Sequence, residues 1–144
     1  MLRRTFLSMC GVAAASSAIR PAFGRSLPRL DLEQLRAEGD LGFGTATRAL
    51  AGQRVIASGY LIPHSKAGAG YHVLASSPLV TCPHCFPDLP LPPDAVVMYL
   101  REDAALPTGA VVEVEGVLDL GAKRDTWTGL VSFARLLDGS LYLS

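Results

Sequence analysis

Along the second half of this chain, apolar and polar residues exchange places at every second position. Val112, Val114 and Gly116 alternate with Glu113 and Glu115, the period-two pattern of a strand with one buried and one wet face. That run covers residues 110–120. Comparable strand-like runs cover 54–64, 71–76, 95–101 and 129–137, with Pro, Gly or Asp punctuating the gaps. Gly59, midway along the first run, suits a bulge or a sharp bend. Upstream, Asp31 is placed to cap a short helix through Leu32, Leu35 and Arg36 that Gly39 stops, and this helix is expected to lie at the domain edge. Residues 41–50 define no clear element before Ala51-Gly52 turns the chain. Five short strands with no long helix predict an all-β fold, a small five-stranded OB-like barrel with a short N-terminal helix. A flattened β-sandwich is the alternative.

The first 24 residues have a different character. Arg3 and Arg4 precede Thr5, Phe6 and Leu7, and an apolar stretch of small residues then runs to Ala18 and Ile19. This is the layout of an export signal, and the paired arginines resemble the twin-arginine type. Cleavage is expected after Gly24, with Ala18 as the alternative. The apolar stretch falls short of the roughly 20 residues a bilayer span needs, so no stable membrane span is expected after cleavage. Cys10 lies inside the signal and is expected to be lost with it. The expected organisation is a signal peptide over 1–24, a linker with a short helix over 25–50 and an OB-like barrel over 51–144. The expected location is the periplasm.

Composition narrows the function classes. The chain has 144 residues with 13 basic and 13 acidic side chains, so its formal net charge is zero. No basic field exists to hold nucleic acid, and none is expected as a partner. Roughly 120 residues remain after the signal, one small domain whose stability must come from packing because two cysteines make no disulfide scaffold.

Those two cysteines stand together in Thr81-Cys82-Pro83-His84-Cys85. Thiolate and imidazole are donors that zinc, copper and iron accept, and cysteines at this spacing can chelate one ion or close a disulfide. Pro83 stiffens the turn between them. Zinc needs four donors, so Cys82 and Cys85 call for His84 and for His64 or His72. His64, after Pro63 at the exit of the first strand, is the better placed of the pair. The expected cofactor is therefore zinc or another transition metal on Cys82, Cys85, His84 and His64, with a periplasmic protein as a further partner. Twin-arginine export carries folded proteins, which agrees with a metal loaded before crossing; a domain that folds quickly would use the same route. A redox disulfide between Cys82 and Cys85, or an inert pair, stays open.

Residues 54–137 resemble a family of exported bacterial proteins of unassigned function. The likeness rests on Gly59-Tyr60-Leu61-Ile62-Pro63, Tyr71-His72-Val73-Leu74, the cysteine motif with its proline-rich sequel to Pro93, Val96-Val97-Met98-Tyr99, and Val114-Glu115-Gly116-Val117-Leu118. The resemblance implies a single OB-like domain with a short Cys/His motif between its second and third strands. It implies no activity. Cys-Pro-His-Cys departs from relatives that show a cysteine and a histidine without the same pair.

Enzymatic constellations are thin. Prolines 87, 90, 92 and 93 forbid the helix that activates a thioredoxin-type cysteine. Ser76 and Ser77 lack a glycine-framed elbow. Glu113 and Glu115 read as an exposed acidic face rather than a catalytic pair. Asp119, Lys123, Arg124 and Asp125 read as a charged turn, Trp127 and Thr128 as a cover for the barrel mouth, and Met98 as core. No catalytic residue is assigned, and the chain is not read as an enzyme.

Overall fold

The alternation carries through into pairing. In the computed structural model, which describes residues 26–35, 42–62, 70–78, 91–102, 106–107 and 109–143, six strands form one sheet. They are β1 (Arg29–Leu30), β2 (Arg54–Ile62), β3 (His72–Ala75), β4 (Ala95–Leu100), β5 (Val111–Arg124) and β6 (Val131–Leu143). Their order is β1-β2-β3-β4-β6-β5, and β5 pairs back onto β2. Strands β2 to β6 thus close a five-stranded barrel, and β1 lies parallel to β2 outside it. Strands β4 and β6 run parallel, while β2–β3, β3–β4, β5–β6 and the closing β2–β5 pair are antiparallel. The protein is an all-β, OB-like barrel, as the strand count predicts.

Inside, Val55, Ala57, Leu61, Leu74, Val96, Met98, Val112, Val114, Leu118, Ala134 and Leu136 pack as one cluster. Each large side chain so buried contributes roughly 1.5–3 kcal/mol by leaving water. A second cluster covers the outer face of β3 and β4, where Ile62, Tyr71, Val73, Ala75, Ala95 and Val97 pack with Leu91, Tyr99 and Leu130. The short β3 is therefore buried on both faces, and this explains its apolar composition.

The N-terminal segment departs from expectation in two ways. Asp31 does cap, its carboxylate accepting from the Glu33 N–H at 3.0 Å, but the element is a 3-10 turn over Leu32–Leu35. Nor does it sit at an edge, because Leu32 and Leu35 are 3% and 2% exposed and belong to the inner core cluster. A one-turn α-helix, α1 (Thr45–Ala49), occupies part of the stretch that showed no pattern. The charged turn expected around residues 119–125 is strand instead. β5 runs on to Arg124, and the loop to β6 begins at Asp125.

Gly59 forms no bulge; it lies in unbroken register with Val112. A Cβ there would stand 2.5 Å from the Ala75 carbonyl oxygen and 2.8 Å from Leu32 Cδ1. Glycine is needed because the 3-10 turn and the end of β3 both press on this one point of β2. Gly59→Ala is accordingly expected to lower unfolding stability by about 1–3 kcal/mol, read from the midpoint of a denaturant titration. An unchanged midpoint would contradict so close an approach.

Candidate functional site

Cys82, His84, Cys85 and His64 all lie outside the described residues. The structure does fix where the segments carrying them leave the barrel. The cysteine segment departs after β3 and returns before β4, antiparallel neighbours paired at Ala75 and Ala95. At its foot the Ser76 hydroxyl donates to the Asp94 carboxylate, and Asp94 is 3% exposed. The His64 segment departs after Ile62 and returns at Gly70, beside the start of β3. The two segments therefore leave opposite ends of a strand only four residues long, a separation of roughly 10 Å. His72 opens β3 opposite Met98, half-buried, on the side of the strand that Leu74 turns to the core. Among the described residues no group of three or more His, Cys, Asp or Glu side chains could hold a metal ion.

A polar cluster stands on the outer face of β3 and β4. It is made by the way the β5–β6 ribbon bends. Gly121 and Ala122 together oppose Phe133, because Leu120 pairs with Ala134 and Lys123 with Ser132, and Gly121 has φ of 119°. Arg135, 2% exposed, fills the bend. Its guanidinium donates to Asp119 at 2.8 Å, to the Gly121 carbonyl at 2.8 Å, and to the Ser132 carbonyl and hydroxyl at 3.0 and 3.1 Å. The bent ribbon brings its loop to the aromatic pair Tyr71 and Tyr99, whose ring centres are 5.8 Å apart.

In that loop Asp125 is the acceptor for nearly everything. One carboxylate oxygen takes the N–H of Trp127 at 3.1 Å, the N–H of Thr128 at 2.7 Å and the Thr128 hydroxyl at 2.8 Å; the other takes the Tyr99 hydroxyl at 3.5 Å. The Tyr71 hydroxyl donates to Thr128 Oγ1 at 2.8 Å. Burial pushes the Asp125 carboxyl upward, but the donors of Thr128, Trp127 and Tyr99 outweigh it and hold it below the usual carboxylate value. Burial, reinforced by the charge of Asp125, raises both phenols, against a hydrogen bond with Thr128 for Tyr71 and the charge of Arg135 for Tyr99. OB barrels bind chains of bases or sugars on this face. Here Tyr71 is 1% exposed and Val73, Ala75 and Val97 are buried, so stacking on Tyr71 would first require its covering to lift.

On the other side of the barrel, the two glutamates expected on an acidic face are both engaged by arginine. Glu113 accepts from Arg29 at 2.8 Å and from Ser58 at 3.1 Å, and these bonds depress its carboxyl. Glu115 accepts from Arg54 at 3.1 Å. Asp138, the one non-glycine described residue with positive φ, at 55°, opposes Gly116 together with Gly139. Its carboxylate joins Arg101, held through two guanidinium nitrogens, to Arg54 at 2.6 Å, and these arginines hold it far below the usual carboxylate value. Sequence reasoning missed Arg135 and Asp138. The one visible sign of Arg135 was a lone cation in an otherwise apolar run.

The class defined by this fold is the OB-like barrel with an N-terminal 3-10 turn packed into its core. No protein-family model and no curated protein matches the chain. Among solved structures it is similar to a DUF3299 family protein from Pseudomonas aeruginosa PAO1, with a TM-score of 0.45 and 16% identity over 84% of this chain and 86% of that one.

Two outcomes follow from these geometries. Arg135→Lys keeps the charge but not the fork, leaving the Gly121 and Ser132 carbonyls short of donors, and a loss of about 1–3 kcal/mol is expected in thermal or denaturant unfolding. Asp138 and Glu113 have folded pKa values below their unfolded ones, so their stabilisation is present above about pH 4 and is lost as pH falls further. Asp138→Asn should therefore flatten the acid side of the stability profile below about pH 4, and an unchanged slope would exclude Asp138 as a contributor.

Proposed function

We propose that this chain is an exported, periplasmic metal-binding accessory protein whose ion, zinc or another transition metal, is held by Cys82, Cys85, His84 and His64. The observation that carries the reading is the motif itself: two thiols three positions apart with an imidazole between them, in a chain with only three histidines. Support comes from the position of its ends, since the motif segment starts and finishes on adjacent strands whose feet Ser76 and Asp94 tie together. A fixed base lowers the entropy lost when donors far apart in sequence converge. The His64 segment leaves the far end of β3, and on this reading His64 is the fourth donor. The role is accessory rather than enzymatic, storage, delivery or structure.

The second reading is a thiol–disulfide or interaction module. It uses the same two cysteines in an oxidising compartment, where an unliganded pair would close.

Elemental analysis of protein folded in the cytoplasm and then exported separates the two. The metal reading expects one ion per chain, a sulfur-to-metal absorption band on cobalt substitution, and complete loss of metal in the Cys82→Ser/Cys85→Ser double variant. His64→Ala should weaken binding by more than the roughly 10–100-fold typical of outer-shell changes. Metal-free protein with no titratable thiol would establish the disulfide instead.

A further inference from the structure

Asp138 and Gly139 form the only Asp-Gly pair in a chain that has no asparagine. Glycine is required at the second position, because a Cβ there would stand 3.1 Å from the Leu100 side chain and 3.1 Å from the Tyr99 carbonyl oxygen. Its lack of a side chain also leaves its amide nitrogen open to the carboxyl of the residue before it. Asp138 is held in the left-handed region, with φ of 55°. The fold thus places a reaction-prone pair in the middle of β6 and cannot exchange its glycine.

We infer that Asp138–Gly139 is a latent self-modification site, at which the chain closes an imide on its own backbone once the grip of Arg54 and Arg101 is lost. In that step the Gly139 nitrogen bonds to Asp138 Cγ and the carboxyl C–O bond breaks. The amide proton and the departing hydroxyl leave as water. Water then adds back to the five-membered ring, and opening at the Asp138 backbone carbonyl routes the main chain through the side chain as isoaspartate, with no net gain or loss of atoms. Three observations assign the restraint to the arginines. First is geometry: Arg101 Nε donates to one carboxylate oxygen at 2.5 Å, and Arg101 Nη2 and Arg54 Nη2 each donate to the other at 2.6 Å. Turning the carboxyl onto the Gly139 nitrogen breaks all three bonds. Second is the leaving group, since water departs only from a protonated carboxyl and two guanidinium ions favour the ionised form. The charged and titratable groups around Asp138 are these two arginines, from β2 and just beyond β4, with Glu115 of β5 and Tyr142 of β6 behind them. Third, Arg101 holds both members of the pair, because its own N–H donates to the Gly139 carbonyl at 2.9 Å. The product would carry one extra main-chain atom between Leu137, which pairs with Val117, and Ser140, which pairs with Glu115. Register between β5 and β6 would be lost there. This inference does not rest on the proposed metal donors.

The test incubates folded protein in water enriched in heavy oxygen, on the acid side of neutrality, and reads the Asp138 peptide by mass spectrometry for label and isoaspartate. The native chain should stay unlabelled over the time in which denatured chain labels. Arg101→Gln removes two of the three bonds at an exposed position. Each unit by which the carboxyl returns toward its usual value raises the reactive, protonated fraction about tenfold, so labelling should rise about tenfold or more. Arg54→Gln/Arg101→Gln should raise it further. Arg101→Lys keeps the charge without the two-nitrogen hold and should fall between, which keeps the comparison informative if the glutamine variants unfold. Asp138→Glu in the same background should abolish the label, because its ring would need six members. In the arginine variants the pH at which the rate falls should also move upward. Equal rates in native and variant proteins overturn the inference. So does a rise that is the same at every pH, which would assign the effect to a loosened strand rather than to the carboxyl.

Discussion

Seven consecutive pairs between Arg54–Tyr60 of β2 and Val111–Val117 of β5 close the sheet on itself, and the rest of the molecule is arranged around that seam. Closure removes the free edges that an open sheet of this size would expose. It also forces an inside and an outside, so every strand must alternate or be covered. Strand β5 solves this by alternation, with Val112, Val114 and Leu118 inward and Glu113 and Glu115 outward beneath arginines. Strand β3 solves it by cover, with Leu74 inside and Val73 and Ala75 in a second cluster outside. Gly59 lies on the seam, where removing one side chain lets a turn and a strand end share the same space.

The barrel was legible where local pattern and tertiary burial agree. The starts of β2 and β4 fall where composition places them, and those of β3, β5 and β6 lie within two residues of it. The reading failed where burial comes from distant partners. Lys123 and Arg124 look like turn residues, yet they continue a strand because the ribbon runs on beyond the barrel core, where neither face requires apolar side chains. Leu32 and Leu35 look like one face of a weak helix, yet they close the core, since only the fold puts Leu32 over Gly59 and both among the inner cluster. Arg135 is the sharpest case. A cation between Ala134 and Leu136 has no local explanation, and its partners Asp119 and Gly121 become neighbours only after β5 pairs with β6. The donor types of the proposed metal site are visible in sequence for the opposite reason, because chelation by two cysteines at the Cys82 and Cys85 spacing would depend on distance along the chain. Which imidazole joins them depends on how two segments from opposite ends of β3 are disposed, and no local rule sets that.

The bend at Gly121 converts a plain hairpin into a strap. Without Arg135 four acceptors at the bend would lose a donor, and the loop would lose its aim at Tyr71 and Tyr99. With it, one carboxylate, Asp125, collects the loop's N–H groups, a threonine hydroxyl and a phenol. The same bonds that fasten the strap turn Trp127 outward. Covering of the outer face and presentation of the exposed ring are thus two results of one arrangement.

Where the proposed ion sits in the energetics of this fold follows from the core. Small metal domains that unfold without zinc do so because their chains bury too little apolar surface to fold unaided. This chain packs its inner cluster from all five barrel strands, and none of that cluster is a metal donor. Ligation at Cys82 and Cys85, as proposed, would act on a scaffold that is already closed without it. Such a site can gain and release an ion without unfolding its carrier, a property that delivery or storage requires and a purely structural zinc does not.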